Sequence, residues 1–172
     1  FLGTGTKAPT VLNGTATPTL LGTSNGTIFE GGGSEMYYWG DSLAVGEPSD
    51  QILSPITSGT LVSYLSAGSK YSLGIYSDLT AHSAGFIDSI DTYHGHLGVP
   101  QDSVAEGENP FQAITSVFDV ETDSIIDAPP FLLAFAGAET AEAPGEIHSI
   151  FISEEGGAYA TGSNSYGKLC LG

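Results

Sequence analysis

Arginine is absent from this chain of 172 residues, and lysine occurs only at Lys7, Lys70 and Lys168. Against them stand 20 acidic residues, so the net charge of −17 comes from a scarcity of bases rather than from a dense acidic tract. Nucleic-acid phosphates and anionic membrane surfaces are recognised by clustered cations. Three lysines far apart in sequence therefore weigh against nucleic acid and membrane as partners. Cysteine is almost as scarce. The single Cys170 rules out an intramolecular disulfide framework and a cysteine-based zinc site. It reads as a small buried hydrophobe, with an intermolecular disulfide or a cofactor thiol as the other readings. No stretch approaches the roughly 18 consecutive apolar residues of a membrane-spanning helix. Phe1-Leu-Gly-Thr lacks the basic start of a signal peptide. The first residue is not methionine, which leads us to expect a processed or partial product.

Helical periodicity is missing too, since no segment carries a capped 3.6-residue apolar stripe. What the chain has instead is glycine and short alternating apolar runs, with 24 Gly and 40% hydrophobic residues, enough for one ordinary core. Residues 1 to 27 are rich in Gly, Thr and Pro. After Ile28-Phe29-Glu30 and a Gly-rich turn comes the aromatic strand Met36-Tyr37-Tyr38-Trp39, which ends at Gly40. Leu61-Val-Ser-Tyr-Leu65, Ala67-Gly68 and Tyr71-Ser-Leu-Gly-Ile75 form a second strand series, followed by Ala81-His-Ser-Ala84 ending at Gly85. At the far end, His148-Ser-Ile-Phe-Ile152 alternates and Glu154-Glu-Gly-Gly157 supplies a tight turn. Ala158-Tyr-Ala-Thr161 then restarts a strand that Gly162 breaks.

Tyr71-Ser-Leu-Gly-Ile75 aligns with His148-Ser-Ile-Phe-Ile152, Ala67-Gly68 with Ala136-Gly137, and Gly95-His-Leu97 with Gly167-Lys-Leu169. Self-similarity of this kind is the mark of a repeat fold. The unit resembles the repeat of the RCC1/BLIP-II-like β-propellers, clearly in residues 54–99 and 148–172. That resemblance implies an all-β fold of antiparallel four-stranded propeller blades, arranged as one domain over residues 1–172 with three to four repeats, or as part of a larger propeller or assembly. Tyr71 and His148 stand farther apart than the roughly 40 to 50 residues of a propeller repeat. The excess falls to loops at Phe86–Ile90, Gln101–Asn109 and Glu139–Glu146. Between these, Phe111–Val120 and Pro130–Phe135 read as strands, and Phe131–Phe135 is apolar enough to be buried on both faces. Leu73, Ile75, Ile150 and Ile152 are expected in the core. Trp39, Tyr71 and His148 read as structural residues, Trp39 packing within or between blades and His148 half-buried and hydrogen-bonded at a strand start.

Other constellations admit chemistry. His94-Gly-His96 with Asp91 and Asp88 offers two imidazoles and carboxylates to a transition metal, although His96 also fills the variable slot of a Gly-x-Leu loop. Asp119-Val-Glu-Thr-Asp123, with Asp127, alternates carboxylates as a calcium loop does. Ser124 and Pro130, however, stand where that loop needs Gly and Glu. No nucleophile elbow and no phosphate cradle occurs, so the pattern supports no enzyme and no cofactor. Asn13-Gly-Thr15 and Asn25-Gly-Thr27 are glycosylation sequons or ordinary turns. A secreted, cell-surface or lumenal location is the expectation.

The function expected is a non-enzymatic interaction or scaffold module with a protein partner. The acidic segments would carry the contact through Glu106, Glu108, Glu139, Glu142 and Glu146, which have no basic neighbour within either segment. The alternatives are a subunit that assembles with copies of itself and a glycan-binding surface using Tyr37, Tyr38 and Trp39.

Overall fold

The computed structural model describes residues 20–23, 26–30, 35–40, 56–57, 62–68, 70–90, 93–119, 121–137 and 147–169. For the strands before residue 62, and for Glu108, the description is of the backbone. Asn13, Asn25, Asp91, Glu139, Glu142, Glu146 and Cys170 lie outside the described residues.

The described chain is antiparallel β-structure throughout, with two short 3-10 helices at Gln101–Ser103 and Ser165–Gly167. The first sheet has the order β1 (Leu20–Thr23), β2 (Gly26–Glu30), β3 (Glu35–Gly40), β4 (Ile56–Thr57). The second repeats that order with β5 (Val62–Ala67), β6 (Tyr71–Tyr76), β7 (Ala81–Ile87) and β8 (Gly107–Ala113). A separate hairpin follows, β9 (Ser116–Asp119) with β10 (Ser124–Asp127). The last sheet is β11 (Phe131–Ala136), β12 (His148–Ser153) and β13 (Ala158–Gly162). The first strands of the three larger sheets lie side by side, β1 against β5 and β5 against β11. The sheets are thus stacked as successive blades.

The repeat is exact at the level of register. The second strand of each sheet begins opposite the glycine of the third, Gly26 opposite Gly40, Tyr71 opposite Gly85 and His148 opposite Gly162. At the same place Gly68 N–H donates to Tyr71 O (2.8 Å) and Gly137 N–H to His148 O (2.9 Å). Glycine is needed opposite the second strand because the chains crowd there. A Cβ on Gly85 would lie 2.5 Å from Tyr71 Cβ, and one on Gly162, at φ +105°, would lie 2.5 Å from Ile147 O. The β6–β7 and β12–β13 turns also correspond, with Leu79 (φ 66°) in the left-handed position that Gly156 (φ 86°) takes in the other. Asp78 holds the first turn by accepting from the Thr80 hydroxyl (2.6 Å) and Thr80 N–H (3.1 Å).

Burial follows from position in the stack. Every residue of β6 is buried, polar Ser72 included, because the second sheet lies between the first and the last. Tyr71, Leu73 and Ile75 share a core cluster with Phe131, Ala134 and Phe151 of the last sheet.

Four expectations need correction. Ile150 and Ile152 are half-buried, and it is Ser149, Phe151 and Ser153 of β12 that are buried against the preceding sheet. Phe131–Phe135 is not buried on both faces: Phe131 and Ala134 are buried, while Leu132, Leu133 and Phe135 are exposed. β7 continues through Gly85 to Ile87, and β8 begins at Gly107, so the acidic segment ending at Asn109 contributes its last three residues to the sheet edge. Phe111–Val120 is two strands, because Ile114 turns into the core after β8 ends and the chain enters the hairpin.

Candidate functional site

Where the second and last sheets meet, the loop Tyr93–Val99 is clamped between them. Gly95 (φ 80°) and Gly98 (φ 71°) shape the loop, and Gly98 N–H donates back to Gly95 O at 2.7 Å. The Ser149 hydroxyl donates to His96 O (2.6 Å) and the Thr161 hydroxyl to Gly95 O (2.7 Å). The Tyr71 hydroxyl donates to His148 O at 2.5 Å, and the one Ser149 hydroxyl proton, aimed at His96 O, is shared with the Tyr71 oxygen at 3.2 Å. Burial pushes the Tyr71 phenol up to about 12, with the Ser149 hydrogen bond opposing. Tyr93 is likewise pushed to about 12 by burial, while its hydroxyl donates to Val99 O (2.8 Å).

His96 sits inside this seam, only 6% exposed, with the Tyr71 and Tyr93 rings each edge-on at 5.2 Å. Its Nε2 has no hydrogen-bond partner. Burial first, and the neighbouring His94 second, hold its pKa down at about 4. His94 is exposed, so the two imidazoles of the His94-Gly-His96 pair are separated by burial, and no cluster among the described residues could hold a metal ion. The arrangement is a neutral packing site. Tyr71 and His148 are the equivalent strand-start residues of two blades. His148 is half-buried, and its Nδ1 has no hydrogen-bond partner. Trp39 stands in β3 opposite Thr27.

The acidic loop before β8 is folded rather than loose. Glu106 accepts from Ile90 N–H (3.1 Å), and Gln101 Nε2 donates to Ile90 O (3.1 Å). Asn109 is buried and closes the loop, accepting from Ala105 N–H (3.0 Å) and donating to Ala105 O (2.9 Å) and Gly107 O (3.1 Å). Glu108 lies in β8 opposite Phe86.

The feature that sequence reading missed is the hairpin β9–β10. Phe118 and Ile125 stand directly opposite each other on it and are 56% and 75% exposed. Val117, on the other face, packs against the core. Ala128 N–H donates to Thr115 O (2.9 Å) and closes the base. At the tip the Asp119 carboxylate accepts from Glu121 N–H (2.9 Å) and the Thr122 hydroxyl (2.7 Å), which lowers its pKa. Asp119 is therefore a turn cap, and Asp123 (φ 52°) completes the turn. The signal available in sequence was the pairing of Val117-Phe118 with Ile125-Ile126 about a six-residue stretch that is polar but for Val120, hidden by reading the carboxylates as a possible ion loop.

No protein-family model and no curated protein matches this chain. Solved structures do. Yeast RCC1 (Prp20), in a structure with Kap60 bound, superposes with a TM-score of 0.60 at 17% identity over 90% of this chain and 34% of that one. Prp20p from Saccharomyces cerevisiae, described with its binding properties to Gsp1p and histones, gives 0.59 at 18% identity over 90% and 35%. Human WBSCR16 gives 0.60 at 14% identity over 88% and 34%. The fold is that of RCC1-like β-propeller blades, and the chain spans about a third of the length of the chains it matches.

Proposed function

We propose that this chain is a non-enzymatic protein-interaction module, in which stacked blades hold an apolar hairpin and acidic loops toward a protein partner. The observation that carries the reading is the exposed Phe118–Ile125 pair on a hairpin of its own. Large apolar side chains presented together on a rigid support mark interaction surfaces. The carboxylates of Asp127, Glu121 and Asp123 surround that pair in sequence, and the partner-facing acidic set is Glu106, Glu108, Glu139, Glu142 and Glu146. A partner with a basic rim around an apolar recess fits both features and the net charge of −17. Likeness to structures described with bound Kap60, or with binding to Gsp1p and histones, supports a protein partner of some kind.

The test compares proteins captured by the immobilised chain and by its Phe118→Ser/Ile125→Ser variant. Loss of a partner that the wild type retains, with the variant's melting temperature unchanged, is the expected result. An identical captured set with identical retention would end the reading.

A further inference from the structure

Leu73 and Ile75 of β6 and Ile150 and Ile152 of β12 hold the same positions in two blades, because Tyr71 opposite Gly85 corresponds to His148 opposite Gly162. Their surroundings differ. Leu73 and Ile75 are fully buried, covered by Phe131, Ala134 and Phe151 of the following blade, whereas Ile150 and Ile152 are half-buried. Across the sheet Leu133 pairs with Ile152 and Phe135 with Ile150, and these β11 residues are 37% and 45% exposed. One face of the last blade is thus an apolar copy of a seam that is already filled once in this chain.

The opposite end of the stack carries the matching half. In the filled seam, Phe151 and Tyr159 are paired across β12–β13 and pack on Phe131 at 5.4 and 5.7 Å between ring centroids. Phe29 and Tyr37 are paired across β2–β3 at the same register, counted from Gly26 opposite Gly40. By position they are the first blade's counterparts of the pair through which the last blade meets its predecessor, and among the described sheets none stands before the first in the stack.

We propose that two copies of this chain associate head to tail, the open face of β11–β12 in one copy receiving the β2–β3 face of the other. The contact is a continuation of the blade-on-blade seam and needs no new kind of packing. It is a heterologous interface, which closes into a ring or runs on as a fibre depending on the rotation per subunit. Counting the three larger sheets among the described residues, two copies bring six blades together, inside the range of about four to eight that propellers close with. The proposal is independent of the hairpin and of any third-party partner.

Light scattering across a concentration series tests it. A species of twice 17.6 kDa that dissociates on dilution is expected. Its affinity should weaken little with salt, since Leu133, Phe135, Ile150 and Ile152 on the receiving face and Phe29 and Tyr37 on the delivering one carry no charge. Leu133→Glu disables the receiving face and Tyr37→Glu the delivering one, so each variant alone is expected as a monomer with the wild-type far-UV spectrum. Mixed together they should re-form a weaker dimer through the one intact seam. Phe135→Ser, at an already exposed position, is the milder variant that keeps the test decisive should Leu133→Glu misfold; it should raise the dissociation constant at least tenfold. A wild-type chain that is monomeric at every concentration overturns the proposal, whether the face is then left to solvent or taken by another polypeptide. A dimer indifferent to Phe135→Ser overturns it as well, and so does one abolished by Leu133→Glu but untouched by Tyr37→Glu.

Discussion

The Tyr71 phenol donates to the backbone carbonyl of His148, its own counterpart in the other blade, 77 residues along the chain. One repeat position thereby ties together two copies of itself. Removing the hydroxyl leaves the His148 carbonyl with Gly137 N–H as its remaining donor. Tyr71→Phe should cost about 0.5 to 1.5 kcal/mol, the usual net value of one hydrogen bond. Denaturant unfolding of the two proteins side by side measures it, and an unchanged midpoint would show that the bond contributes nothing net.

Acid should loosen the same seam. His96 is buried as the neutral base with a pKa of about 4 against an ordinary 6.5, so the unfolded chain binds its proton first as pH falls. Its share of stability is complete above about pH 6.5, declines as pH drops from there, and levels off near pH 4. The full swing is on the order of 3 kcal/mol. Burial also lowers the pKa of His82, which adds a decline of the same sign. His96→Phe, which keeps a ring between Tyr71 and Tyr93, should flatten most of the slope between pH 6.5 and 4. A slope as steep as the wild type's would assign the acid sensitivity elsewhere.

The glycines divide sharply in what alanine would cost. At Gly85 the new Cβ would meet Tyr71 Cβ at 2.5 Å and Lys70 O at 2.7 Å, and at Gly162 it would meet two backbone atoms within 2.7 Å besides the positive φ. Gly107 and Gly156 share the positive φ but have open space around them. Alanine at Gly107 or Gly156 should cost about 1 to 2 kcal/mol from left-handed backbone alone. At Gly85 or Gly162 the loss should exceed that, toward about 3 kcal/mol or more, from overpacking against atoms that cannot yield. Thermal melts of the four variants check the order.

Association through the hairpin and acidic loops should be salt-sensitive. Carboxylates facing a basic surface lose attraction once the Debye length falls below about 10 Å, near 0.1 M salt. Affinity for a captured partner should drop several-fold between 0.05 and 0.5 M salt, on the order of the screening expected for exposed charges. A salt-independent affinity would point to the apolar pair Phe118 and Ile125 alone.

The repeat was legible in the sequence because crowding dictates it. Gly40, Gly85 and Gly162 are visible as strand breakers, and they recur because the neighbouring strand comes too close for a Cβ at Gly85 and Gly162. Alternation likewise marked Leu73, Ile75, Ile150 and Ile152 as one face. It could not say what covers that face, and among the described residues only the first pair has a following blade upon it. The converse holds in β6, where Ser72 is polar and yet fully buried. At the candidate site, the acidic residues were visible as charge, yet nothing local announced that Glu106 would tie down Ile90 N–H or that Asp119 would cap a turn. Those roles depend on pairings the chain makes only after it has folded back.

The clamp on loop Tyr93–Val99 also sets an order of events. The loop's anchors are Ser149 and Thr161, which lie 53 and 66 residues beyond the carbonyls they hold. Contacts at such separation form late and slow the search. During synthesis, the second blade must wait with Tyr93, His96 and Leu97 uncovered until the chain through Thr161 has emerged. That interval is the time at which the nascent protein is most open to chaperones and to aggregation.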